Sequence, residues 1–124
     1  IKDEMFFAEK DNGAFLNNHR MRVSSKNDIN NCLFAIGGKF QTKLDFPNRK
    51  SGCAALDLAY VASGRLDGYV QDNLNLWDIA AGIILVKEAG GLMNEIDLNK
   101  TENLNVIASS VNINDKFRKK IGNF

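Results

Sequence analysis

Cysteine, histidine, proline and tryptophan are all scarce in this chain of 124 residues, which has two cysteines and one each of the other three. Cys32 and Cys53 lie in apolar company without C-x-x-C spacing, and His19 sits in a polar N-N-H-R stretch. Neither a disulfide framework nor a zinc site is expected from that distribution. Excess charge of one sign is lacking as well, since 16 basic and 15 acidic residues leave a net charge of +1. A broad electrostatic footprint for nucleic acid or an anionic membrane is thereby excluded. No apolar run approaches the roughly 20 residues needed to cross a bilayer. The opening I-K-D-E-M-F-F-A-E-K mixes charges into its apolar residues and does not read as a signal peptide. The expectation is a cytoplasmic protein with no membrane partner.

What is present is an ordinary globular composition, 44% apolar and 25% charged, at a length that suits one domain spanning residues 1–124. Residues 4–10, E-M-F-F-A-E-K, read as a strand that stops at the turn signal Asp11-Asn12-Gly13. Ala14 to Leu16 and Met21 to Val23 flank Asn17-Asn18, a pair able to take left-handed turn conformations, so a hairpin follows. Cys32 to Ile36 is another strand, closed by Gly37-Gly38, and residues 39–51, with the only proline, read as a loop. Cys53 to Ser63 is predicted as a helix with Gly64 at its end, and its apolar residues run almost all round, which predicts burial between layers. Leu66 to Gln71 is a short strand and Trp77 to Ala89 the second helix, ended by Gly90-Gly91. Leu92 to Ile96 and Leu104 to Ser109 are strands, and residues 112–121 close the chain as a helix that Asn112 or Asn114 is expected to cap. Strands alternating with helices predict an α/β fold, a layered sheet with helices on its faces.

One acid stands out at the head of an apolar run, Asp78 in L-N-L-W-D-I-A-A-G-I-I-L-V-K-E-A-G-G. In the first turn of a helix a carboxylate meets unsatisfied N–H groups and the positive end of the dipole, so capping explains it. It is also a hard oxygen ligand of the kind that holds Mg²⁺ together with substrate phosphate.

W-D-I-A-A-G-I-I-L-V-K-E-A-G-G resembles the C-terminal signature of the inositol monophosphatase family. The preceding S-G-C-A-A-L-D-L-A-Y-V-A-S-G-R-L-D-G-Y is similar to its SuhB-type (extragenic suppressor) members, and D-N-G-A-F-L-N-N-H-R-M-R-V-S resembles the family's G-x-G-A-F-x-N-G hairpin. The resemblance implies the C-terminal half of that family's α-β-α-β-α sandwich and a Mg²⁺-dependent phosphatase acting on a small phosphorylated polyol such as inositol 1-phosphate. It implies Asp78 as metal ligand and as a residue close to substrate, and Gly52, Cys53 and Ala54 as backbone contacts to the ring. Their position at the start of a helix makes their N–H groups suitable donors. Gln71 aligns with a position where many members place a glutamate that bonds a substrate hydroxyl, and an amide there carries no charge.

The family's other metal ligands, a Glu-containing motif and a D-P-x-D-G-T block, precede the hairpin with which this chain begins. The expectation is therefore that the N-terminal metal-binding half is absent and acts as a partner. The segment from Gly37 to Ser51 is also shorter than the family's usual one. Among the remaining acids, Asp57 reads as structural, Asp67 as turn chemistry, Asp72 as solvated loop, and Glu88 as a surface partner for a neighbouring lysine. Two functional classes follow. One is the C-terminal part of a phosphatase, inactive alone, with a homodimer as the family's usual assembly. The other is a non-catalytic remnant or binding module that engages a transcription-machinery protein.

Overall fold

The hydrophobic pattern resolves into two cores on opposite faces of one sheet, as seen in a computed structural model that describes residues 4–40, 48 and 52–122. Three short antiparallel strands come first: β1 (Phe6–Glu9), β2 (Gly13–Leu16) and β3 (His19–Arg20), in the order β1-β2-β3. The β2–β3 connection is the expected tight turn, with Asn17 and Asn18 at φ 50° and 70°. Two consecutive left-handed residues match the right-handed twist of a hairpin, and Asn tolerates that region better than most side chains. The pairing therefore resumes at once, Leu16 opposite His19 and Phe15 opposite Arg20. Met21 to Val23, expected in the second arm, lies beyond the strand: the Val23 N–H donates to the Ala89 carbonyl at 3.1 Å and carries the chain away.

The second sheet contains β4 (Phe34–Ile36), β5 (Gly68–Leu74), β6 (Leu92–Met93) and β7 (Leu104–Ser109), in the order β4-β5-β7-β6. β4 and β5 are parallel, joined through helix α1 (Ala54–Ala62), and the other pairings are antiparallel. Side chains alternate across it with the strand period of two. Ala35, Tyr69, Val106 and Ala108 face α1 and α2 (Leu76–Glu88), whereas Phe34, Ile36, Val70 and Ile107 face α3 (Asn114–Ile121). Phe34 and Phe117 stack at 4.5 Å on that second face. The α1–α2 pair is thus covered by the three-stranded sheet on one side and the four-stranded sheet on the other, which answers the all-round apolar pattern of α1. Gly82 makes the helix crossing close, because a Cβ there would lie 2.6 Å from Leu58. Each fully buried Leu or Phe contributes roughly 1.5–3 kcal/mol through the water it sheds.

Several local readings change for physical reasons. The strand expected over Leu92 to Ile96 stops at Met93 because the Asn94 side chain takes over the ladder. Its amide donates to the Asn105 carbonyl and its Oδ1 accepts from Ile107 N–H, both at 2.8 Å. Neither asparagine caps the last helix: Asn112 donates to the Ser25 carbonyl and Asn114 to Ser109 Oγ. A 3-10 turn at Val111–Ile113 precedes α3 instead. Most of the loop read over residues 39–51 lies outside the described residues, but Phe40 closes a 3-10 turn and is buried.

Candidate functional site

A cavity of about 550 Å³ opens where two helix N-termini and one strand end converge. α1 begins after Cys53 and α2 after Asn75, and neither of those residues makes a side-chain capping bond. The first-turn N–H groups of a helix have no intrahelical acceptor and carry the positive end of its dipole, so two such ends favour an anion. From α1 the cavity takes Cys53, Ala54 and Asp57, with Gly52 just before them. From α2 it takes Trp77 and Asp78. Trp77 is 82% exposed and Asp78 also faces solvent, at a helix start where apolar residues otherwise dominate.

The strand contribution comes from β5, where the register with β7 shifts between Gln71 and Leu74 and Asn73 stands at φ 56°. This bulge sends Gln71, Asn73 and Leu74 to the cavity wall, the kind of re-aiming for which bulges recur beside functional sites. Beneath it Tyr69, 1% exposed, donates its hydroxyl to Gln71 Oε1 at 2.6 Å. Burial pushes the phenol well above its usual range, with Asp57, Cys53 and Asp78 adding to the shift.

All five residues singled out in the sequence, Gly52, Cys53, Ala54, Gln71 and Asp78, line this one cavity although they come from three separate segments. Sequence reasoning missed Asp57, which is 3% exposed and lines the cavity rather than serving only as packing. The signal was available: Asp57 is an acid in the first turn of an apolar helix, as Asp78 is in α2. The other acids went to work elsewhere. Asp67 is no turn residue, for its buried carboxylate accepts from Leu33 N–H at 2.8 Å and meets Lys26 at 3.4 Å. Asp72 belongs to β5 and accepts from the Lys39 N–H at 3.0 Å. Glu88 accepts from Gly13 and Asp11 N–H groups at 2.8 and 3.0 Å, which holds its carboxyl below the usual range.

The oxygen donors of the cavity include two carboxylates, Asp57 and Asp78, and the amide of Asn73, whereas Gln71 Oε1 is taken by the Tyr69 hydroxyl. That chemistry suits a hard cation such as Mg²⁺, which commonly uses one or two carboxylates plus phosphate oxygens. No lysine or arginine is among the described lining residues, so no lining side-chain cation offsets the two acids. Among the described residues no group of three or more His, Cys, Asp or Glu side chains is gathered for a metal. The residues therefore fit part of a metal site and fall short of a complete multi-metal one. Among them, too, no helix is long and apolar enough to cross a membrane.

Residues 1–121 match the family described as the inositol monophosphatase family. The chain is 39% identical to the Nus factor SuhB of Haemophilus influenzae, over 98% of this chain and 52% of that protein. It is 41% identical to the fructose-1,6-bisphosphatase/inositol-1-monophosphatase of Thermotoga maritima, over 75% of this chain and 40% of that one. The crystal structure of the extragenic suppressor protein SuhB from Bartonella henselae superposes with a TM-score of 0.84 at 39% identity, covering 96% of this chain and 54% of the other. The chain thus spans about half the length of the curated relatives it matches.

Proposed function

Because the chain belongs to the inositol monophosphatase family, we propose that its cavity is the substrate side of a Mg²⁺-dependent phosphatase for inositol 1-phosphate or a similar small phosphate monoester. The observation that carries this reading is the convergence of Gly52, Cys53, Ala54, Gln71 and Asp78 on one cavity at two helix N-termini. In this reading Asp78 is a metal ligand, and the amide N–H groups at the start of α1 face the polyol. Bound Mg²⁺ would supply charge neutralisation and activation of water, as divalent ions do for phosphate esters. This chain's own residues do the rest: the helix ends favour the phosphate, the buried floor excludes water, and Gln71 contacts a ring oxygen.

A site with only two carboxylates needs further ligands, and we assign them to a segment equivalent to the other half of the relatives' length. The single domain of residues 1–124 then acts as one half of a bipartite enzyme in the cytoplasm. The test is phosphate release from inositol 1-phosphate at saturating Mg²⁺, comparing this chain, its Asp78→Asn variant and the chain mixed with a family N-terminal half. Activity that appears with the added half and is lost on substitution supports the reading. Folded protein that hydrolyses nothing in any combination sinks it.

The likeness to the Nus factor SuhB of Haemophilus influenzae over nearly the whole chain favours a second reading, a protein-binding module that engages the transcription machinery. Binding of such a partner is then insensitive to Asp78→Asn, whereas phosphatase activity is not.

A further inference from the structure

We propose that Tyr69 is a positioning residue: its hydroxyl locks the Gln71 amide so that the cavity presents an N–H donor, and so selects a ligand with an acceptor oxygen at that point. The ligand's identity rests on the phosphatase reading above, and the lock does not. Tyr69 and Gln71 lie two residues apart on the same face of β5, and the phenol hydroxyl donates to Gln71 Oε1 at 2.6 Å. A phenol has one proton to give, and donating it commits the carbonyl end of the amide. Burial and the neighbouring acids keep that proton in place at any ordinary pH. Gly37 closes the other side, because a Cβ at that position would collide with Gln71 Oε1 and its carbonyl carbon.

With Oε1 committed between Tyr69 and Gly37, the amide nitrogen is the end that remains for the cavity Gln71 lines. The consequence is chemical. An N–H donor pairs with a lone pair, and an uncharged amide adds no third negative charge beside Asp57 and Asp78. A carboxylate at the same place would accept from a hydroxyl proton instead. The Tyr69–Gln71 pair thus sets the polarity of one wall of the site.

The lock is tested first without any ligand, on the ¹⁵N-labelled chain. The Gln71 side-chain NH₂ signals are assigned by their loss in Gln71→Glu, and their relaxation is compared with that in Tyr69→Phe. Tyr69→Phe keeps the ring and removes only the hydroxyl, and the backbone spectrum verifies that the fold is retained. An ordered amide in the parent chain that becomes mobile in Tyr69→Phe is the expected result, and equal relaxation in both overturns the proposal.

The second arm uses Trp77, the only tryptophan of the sequence and a lining residue of the cavity. Its fluorescence is titrated with myo-inositol 1-phosphate at saturating Mg²⁺, and Tyr69→Phe is expected to bind about fivefold more weakly, the worth of one neutral hydrogen bond. Deoxyfluoro analogues, whose fluorine accepts but never donates, should include one that the parent chain tolerates and Gln71→Glu rejects. Unchanged affinity in Tyr69→Phe, or one rank order for both proteins, overturns the proposal. A parent chain whose Trp77 responds to inositol 1-phosphate neither alone nor mixed with a family N-terminal half defeats the phosphatase reading, while the relaxation comparison still decides the role of Tyr69.

Discussion

The two ends of the α1–α2 pair use carboxylates in opposite ways. Near the C-terminal ends, Asp67 through one oxygen and Glu88 through both accept from the backbone N–H groups of Leu33, Asp11 and Gly13. At the N-terminal ends, Asp57 and Asp78 line a cavity beside helix starts that lack a side-chain cap. The first arrangement ties distant segments together, since Glu88 reaches residues 75 and 77 positions away in sequence. The second gathers two carboxylates and two helix starts around one cavity.

The sharpest way to break this contrast is to remove one carboxylate from each end. Asp67→Ala strips the acceptor from Leu33 N–H in a buried setting and is expected to cost about 2–4 kcal/mol in urea unfolding. Asp78→Ala, at an exposed position, should stay within about 0.5 kcal/mol in the same measurement. Equal losses would erase the distinction between the two ends.

Next in size is the helix crossing that both ends share. Gly82→Ala places a Cβ against Leu58 and should cost about 1–3 kcal/mol through overpacking, read as a shift of the unfolding midpoint. A neutral Gly82→Ala would mean that α1 and α2 are free to separate, and with them the cavity.

A smaller effect distinguishes Glu88 by pH. Its native carboxyl titrates below the ordinary value of 4.5, mainly because Asp11 N–H and then Gly13 N–H bond the charged form. A lowered native value means that the stabilisation is complete above the ordinary value and is lost as pH falls below it through the native one. Glu88→Gln should therefore flatten the acid limb of the stability profile and leave its slope near neutral pH unchanged.

Smallest is a difference in thiol reactivity. Burial, with Asp67 next, pushes the Cys32 thiol up to about 11, whereas Cys53 is exposed beside the cavity. A thiol reagent at mild pH is expected to label Cys53 in the native protein and Cys32 only after unfolding. Rapid labelling of both would show that the Asp67 end opens easily.

Much of the architecture was legible because it depends on local pattern. The paired asparagines at 17 and 18 announced their turn, and the continuous apolar runs of α1 and α2 announced burial between layers. The strand limits at Val23 and Met93 were not legible, because Val23 leaves its sheet for the Ala89 carbonyl and the Asn94 side chain replaces a backbone ladder. For the site, the W-D and G-C-A segments could be picked out by resemblance. Asp57 offered a signal, an acid in the first turn of an apolar helix, but the Tyr69–Gln71 bond offered none, since it depends on which face of β5 meets the cavity.

By itself the sequence determined the periodicities, the turns and the family. Those follow from chemistry within a few residues and from motifs that keep their order along the chain. Tertiary structure alone decided which acids bind backbone and which line the cavity. A carboxylate's partner is chosen by three-dimensional neighbours: Asp67 finds Leu33 across 34 positions, and Asp57 and Asp78 meet only because two helices start at the same end of the sheet.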